Sequence, residues 1–234
     1  MQLPMIDYMI KRQKSKGYGS SHHFGKDFCM IGVLDCGIGN IGSILNMLKK
    51  VGVEGRAVES GMEIDACDKL ILPGVGAFDT GMALLSMNGR REALDKAATA
   101  GKAILGICLG MQLLGRCSEE GKKEGLGYLP FSLVRFGQEQ QPALKIPHMG
   151  WNEVRILHPD ATLAQNMEPE PRFYFVHSYY AVCDHPDDVL MTCDYGETFA
   201  AAVYRNNIWG VQFHPEKSHR FGMCIMRNFA KECA

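Results

Sequence analysis

Hydrophobic positions along this chain follow two patterns. From Met30 to about residue 129, short apolar runs alternate with stretches of helical spacing. Met30-Ile-Gly-Val-Leu-Asp35 has strand length, and Ser43 to Val51 places Ile44, Leu45, Leu48 and Val51 on one helical face. Val53 to Glu59 and Lys69 to Leu72 predict two more strands, and a helical pattern runs from Thr80 to Ala100. Ala103 to Ile107 is apolar throughout, as a strand buried on both faces requires. Such alternation predicts a mostly parallel sheet flanked by helices.

After Pro130 the pattern changes. Runs rich in β-branched and aromatic residues occur at 133–136, 153–157, 172–178, 189–194, 199–204 and 208–213. Turn signals such as His158-Pro159-Asp160 and Asn206-Asn207 separate them, which predicts antiparallel strands extending the same sheet. A last helix is expected over Ser218 to Cys233. The fold class is therefore α/β, in one domain over residues 30–234. Residues 1–29 read differently. The basic cluster Lys11-Arg12-Gln13-Lys14-Ser15-Lys16 is followed by Gly17-Tyr18-Gly19-Ser20-Ser21-His22-His23, with no apolar stretch of signal-peptide length. A flexible tail is expected there, or a start codon assigned too far upstream of Met30.

Composition narrows the classes. At 234 residues, 46% hydrophobic and 22% charged, the chain is globular and long enough for one large core. A net charge of −1 offers no footprint for nucleic acid or an anionic membrane. The nine cysteines form no CxxC pair and no metal-ligand spacing, and their odd number and even scatter suit reduced thiols in the cytoplasm. No metal, and no cofactor, is expected. No apolar run approaches the roughly eighteen residues of a membrane span.

Candidate chemistry begins where the buried fourth strand ends. Gly106-Ile-Cys108-Leu-Gly110 sets small residues two before and two after a cysteine, and Met111 to Leu114 continues as a helix. This is the nucleophile-elbow pattern with sulfur in place of hydroxyl, in which glycines let the chain turn sharply. The thiol then meets the positive end of the helix, and the Leu109 N–H points at an oxyanion forming beside it. A thiol nucleophile needs a base, and the base needs a carboxylate to orient it. Gly210-Val-Gln-Phe-His214-Pro-Glu216 supplies both at the end of another strand. Gly74, Val75 and Gly76, after the third strand, offer further backbone N–H groups at the same sheet edge. A competing signal is Gly37-Ile-Gly39-Asn-Ile-Gly42, a GxGxxG between strand and helix with Glu59 seventeen residues beyond. A non-catalytic dinucleotide-binding module is the remote alternative it raises. Asn40 as a helix cap accounts for part of the pattern, and nucleotide binding leaves Cys108 unexplained.

Together the elbow from Gly106 to Gln112 and His214-Pro-Glu216 resemble the triad, or class I, glutamine amidotransferases. Pro73-Gly-Val-Gly-Ala-Phe78, Lys145-Ile-Pro-His-Met-Gly-Trp-Asn152, Phe175-Val-His-Ser-Tyr179 and His214-Pro-Glu-Lys-Ser218 narrow this to the glutaminase subunits of imidazole glycerol phosphate synthase. The resemblance implies a flavodoxin-like fold and hydrolysis of glutamine through a thioester on Cys108, with His214 and Glu216 completing the triad. It implies that Gln112, His177, Ser178 and Tyr179 hold the substrate, and that Gly74, Val75, Gly76 and Leu109 serve the oxyanion. Ammonia would pass to a separate synthase (cyclase) subunit with a (β/α)8 barrel, in a heterodimer, across Lys145, Pro147, His148, Trp151, Asn152 and Lys217. The product pathway would be histidine biosynthesis. Close relatives that supply nucleotide-sugar amidotransferases of surface polysaccharide synthesis are the alternative. Two departures stand out: Asp35-Cys36-Gly37 where Asp-Tyr-Gly is usual, and His219-Arg-Phe-Gly-Met-Cys224 after Lys217-Ser218.

Overall fold

Four parallel strands carry the first half of the chain: β1 (Ile31–Leu34), β2 (Gly55–Val58), β3 (Lys69–Gly74) and β4 (Ile104–Cys108). They lie side by side in the order β2-β1-β3-β4. The structure, a computed structural model, describes residues 29–137, 144–231 and 233, so residues 1–28 of the expected tail lie outside it. Every residue of β1 and β4 is buried, as their unbroken apolar sequence requires. Alternate side chains feed two cores. Ile31, Val33, Ile71 and Leu105 face one side, and Leu34, Leu70, Leu72 and Ile104 the other. Cys36, where tyrosine is usual, is a buried member of the second core.

Helices cover both faces: α1 (Ile41–Lys50), α2 (Gly61–Asp65), α3 (Phe78–Leu85), α4 (Arg90–Thr99), α5 (Leu109–Leu113) and α6 (His219–Lys231). The pattern expected as one helix from Thr80 to Ala100 is two helices. Asn88 and Gly89 both take left-handed φ angles, +56° and +68°, which no α-helix can continue through. Arg90 then holds the corner, with Nε donating to the Glu59 carbonyl at 2.6 Å and a guanidinium nitrogen to that of Leu84 at 3.0 Å. Helix α2 was not anticipated. Its start is fixed by the Glu63 carboxylate, which accepts from the N–H groups of Glu59 and Ser60 at 2.8 and 2.9 Å.

The second half extends the sheet as expected. Strand β11 (Ile208–Val211) joins β4 in parallel, and β10 (Glu197–Arg205), β9 (Val189–Tyr195), β6 (His148–Ile156) and β7 (Arg172–His177) follow it antiparallel. Strands β5 (Phe131–Arg135) and β8 (Tyr179–Cys183) pair with each other, and β8 also meets β10. The expected strand at 153–157 begins five residues earlier, and β8 emerges after a one-residue break at Ser178. The C-terminal ends of β3, β4 and β11 come out on one edge, where parallel α/β sheets build their sites.

Candidate active site

Cys108 ends β4 and caps α5 with φ +55° and ψ −113°. A non-glycine residue held there costs about 1–3 kcal/mol, so the surrounding packing has to impose it. The flanking glycines supply that packing, which corrects the expectation that they supply the turn. A Cβ on Gly110 would sit 1.7 Å from the Leu72 carbonyl oxygen, and one on Gly106 within 2.7 Å of the Met111 and Gly110 backbone. Both let α5 press against β3 and β4, while Cys108 itself takes the strained turn.

His214 lies at the end of the adjacent strand segment, with its carbonyl accepting from the Ser218 hydroxyl at 2.6 Å and its N–H donating to the Tyr174 carbonyl at 2.9 Å. Its Nδ1 meets Glu216 Oε1 at 2.8 Å, and both side chains are buried. Nε2 is buried with no hydrogen bond of ordinary geometry, and the group raising its basicity from that side is Cys108. Burial opposes the imidazolium, but Cys108 and Glu216 outweigh it and push the His214 pKa up to about 9. A nucleophile, a base and an orienting carboxylate thus sit in series.

A cleft of about 340 Å3 opens beside the thiol, and Val75, Gly76, Leu109, Gln112, His177, Ser178 and Tyr179 line it. Gly74 lies buried behind them, its Cβ position 3.1 Å from that of Leu109. Gln112 Nε2 donates to the Tyr179 carbonyl at 3.2 Å and to Gln212 Oε1 at 3.0 Å, and Gln212 Nε2 donates toward Cys108 Sγ at 3.8 Å. As first residue of α5, Leu109 has an N–H without an intrahelical partner. The Val75 N–H, by contrast, is turned to the Ile38 carbonyl at 3.3 Å.

Residues expected at the partner face divide. Trp151 is 44% and Met149 61% exposed. Trp151 stacks on His219 with ring centroids 5.3 Å apart, and Lys217 lies 5.3 Å from the Tyr174 ring beside it. Lys145 and Pro147 are exposed, and Pro147 also reaches the cleft. His148 is 1% exposed, so the expectation that it faces a partner is corrected: alternation along β6 turns it inward. The GxGxxG segment also reads differently in three dimensions. Asn40 caps α1, accepting from the Ser43 N–H at 3.3 Å, and a Cβ on Gly42 would meet nothing within 4 Å. The close helix–strand packing that a dinucleotide fingerprint demands of its third glycine is missing.

The match that decides the family covers nearly all of this architecture: the model for "glutamine amidotransferase class-I" fits residues 32–233. The chain belongs to the class I glutamine amidotransferases. Within the family it is 49% identical over 205 residues to imidazole glycerol phosphate synthase subunit HisH 2 of Pseudomonas aeruginosa, covering 86% of this chain and 99% of that one. It is 45% identical to the HisH subunit of Leptospira interrogans (86% and 99% covered) and 47% identical to HisH 2 of Methanococcus maripaludis (87% and 100%). Among solved structures, a putative GMP synthase component from Thermoplasma acidophilum superposes with a TM-score of 0.68 at 24% identity, covering 89% and 95% of the two chains. PurLQS from Thermotoga maritima does so at 0.67 and 21%, covering 86% and 96%. This amidotransferase also has two polar residues in or beside the cleft that sequence reasoning missed. Glu120 lines it, one carboxylate oxygen accepting from the Phe78 N–H at 2.8 Å. Gln212 is wholly buried between Gln112 and Cys108. The signal for Gln212 was its place two residues before His214. Glu120 carried none, because only the fold brings it to the site. Among the described residues, no cluster of His, Cys, Asp and Glu could hold a metal ion, and no helix is long and apolar enough to cross a membrane.

Proposed function

We propose that this amidotransferase is the glutaminase subunit of an imidazole glycerol phosphate synthase, releasing ammonia from glutamine for a synthase subunit in histidine biosynthesis. The observation that carries the chemistry is the buried Cys108–His214–Glu216 series opening onto one cleft. Cys108, its proton already held on His214, attacks the substrate carboxamide, and His214 then gives that proton to the departing nitrogen as ammonia leaves. The glutamyl thioester remains. A water deprotonated by His214 attacks it and yields glutamate. Glu120 offers its carboxylate to the α-ammonium, and the backbone at Ser178 and Tyr179 faces the same end of the substrate. The developing oxyanion takes the Leu109 N–H and, after rotation of its peptide, that of Val75.

The choice of acceptor rests on relatives of 45–49% identity that bear the synthase-subunit name along nearly their whole length. The partner, read as a (β/α)8 barrel in a heterodimer, would dock on the exposed patch of Met149, Trp151, Lys217 and His219. Lys145, Pro147 and the half-buried Asn152 would lie along its margin. The test pairs Cys108→Ala with the barrel synthase and its nucleotide acceptor. Glutamine-dependent synthesis should vanish while ammonia-dependent synthesis persists. Coupling only to a nucleotide-sugar amidotransferase would assign another acceptor, and glutamine hydrolysis by the variant would overturn the nucleophile.

A further inference from the structure

Strand β6 turns His148 inward directly opposite His177 on β7, and the two rings meet at 3.0 Å between Nδ1 and Nε2. His148 is clamped flat between Phe175 and Tyr195, with ring centroids 4.8 and 3.9 Å away and interplanar angles of 22°. Its Nε2 meets Asn152 Nδ2 at 2.9 Å. His177 in turn reaches the Tyr179 carbonyl through Nδ1 at 2.8 Å.

One atom sets the polarity of this whole series. The Tyr179 carbonyl can only accept, so His177 Nδ1 carries its proton. Burial holds His177 neutral, its pKa pushed down to about 3, and burial lowers His148 to about 4. A neutral His177 protonated on Nδ1 has Nε2 as an acceptor, so His148 must donate from Nδ1. His148 Nε2 must then accept, and Asn152 must present its amide N–H. The same Tyr179 carbonyl also accepts a hydrogen bond from Gln112, whose second N–H goes to Gln212. With both N–H groups committed, Gln112 has only its oxygen left to offer.

We propose that Asn152 and His148 are positioning residues for the glutaminase reaction. Through His177 they fix the Tyr179 carbonyl, and with it the amide of Gln112, so that the Gln112 oxygen is held ready for an N–H of bound glutamine. A one-residue turn, Ser178, separates β7 from β8 at the cleft. The relay holds that turn from the His177 side, while the Ser178 carbonyl accepts from the Phe136 N–H at 3.1 Å. It reaches β6 at the strand that presents Met149 and Trp151 to solvent, one residue out of phase. The proposal deepens the glutaminase reading and rests on it.

Two measurements test it. Nitrogen-15 NMR of the histidine-labelled full chain near neutral pH should show His148 and His177 both protonated on Nδ1; either ring in the Nε2–H form overturns the relay. Steady-state glutaminase kinetics should then separate orientation from chemistry. His148→Phe keeps the ring stack and deletes both hydrogen bonds, so KM for glutamine should rise about tenfold while kcat changes less than about threefold. His148→Asn, whose amide nitrogen takes the place of Nδ1, should recover most of that KM. An unchanged KM in a folded His148→Phe, or equal losses in the Phe and Asn variants, overturns the proposal. Should neither variant fold, Asn152→Ala, which breaks only the outer hydrogen bond of the relay, should raise KM in the same way, and an unchanged KM there overturns the proposal. A wild-type chain inert toward glutamine even with the synthase subunit and its acceptor present would instead defeat the glutaminase reading and leave the NMR result to stand alone.

Discussion

Cys108 is bought at a conformational cost: its φ of +55° suits glycine, and the thiol is the reason a side chain is kept there. Cys108→Gly should therefore abolish glutamine hydrolysis and raise stability by roughly 1 kcal/mol, which thermal unfolding would register. A melting temperature below wild type would mean that the thiol's packing outweighs the strain. His214 makes a second case. Its folded-state pKa of about 9 exceeds the unfolded value of 6.5, so its stabilising contribution is complete below pH 6.5 and is lost as pH rises through about 9. The same proton serves ammonia departure, so activity should fall on the alkaline side near pH 9. Glu216→Gln removes one of the two groups raising that pKa and should move the alkaline limb of the kcat/KM profile downward. A limb that stays in place would show that Cys108 alone sustains the imidazolium. His148 and His177 have the opposite sign: their stabilising contribution is present above pH 6.5 and is lost as pH falls toward 4 and 3.

At the scale of elements, the elbow shows why a short motif could be read from sequence and yet be partly misread. Gly106 and Gly110 flank a nucleophile in the pattern, but each serves approach to a neighbouring backbone that sequence cannot display. Gly110→Ala should cost roughly 3 kcal/mol or more, because the Leu72 carbonyl of β3 has no room to retreat within the sheet. Gly42→Ala, in the open first turn of α1, should instead stabilise by about 0.5 kcal/mol. Chemical denaturation of the pair distinguishes a packing glycine from an incidental one, and a destabilised Gly42→Ala would revive the dinucleotide reading. Parallel strands were legible because burial on both faces leaves unbroken apolar runs. Helix α3 ran into α4 in the sequence because the Asn88-Gly89 turn signal was passed over between two strongly periodic flanks. Strand β8 was hidden because Ser178 ends one alternating pattern and Tyr179 begins another on a new partner. His148 was misplaced outward because the resemblance carried the whole segment from Lys145 to Asn152 to the partner face, and only the alternation along β6 separates His148 from Met149.

For the whole molecule, the remaining question is how glutamine hydrolysis waits for an acceptor, since ammonia released without one is lost to water. The chain as it stands offers a mechanism. The Val75 N–H is bonded to the Ile38 carbonyl and so is unavailable to an oxyanion at Cys108. Gly74 precedes this peptide and Gly76 follows at φ +106°, so the peptide can rotate with little steric resistance. A missing oxyanion donor costs about two to three orders of magnitude in rate, enough to keep the lone glutaminase slow. To reverse it, a docked partner with its acceptor bound need only favour the rotated state by roughly 3–4 kcal/mol. On the proposed reading, Trp151, Lys217 and His219 would give that partner its surface, and Pro147, which lines the cleft, would extend it there. Glutamate release should thus be slow for this chain alone and rise by about a hundredfold or more with the barrel synthase and its nucleotide acceptor. Trp151→Ala should blunt that rise and leave the basal rate of the lone chain unchanged, because the indole lies outside the cleft. Full activity without any partner would remove the switch. A blunted basal rate in Trp151→Ala would mean that the patch shapes the cleft directly instead of receiving the partner.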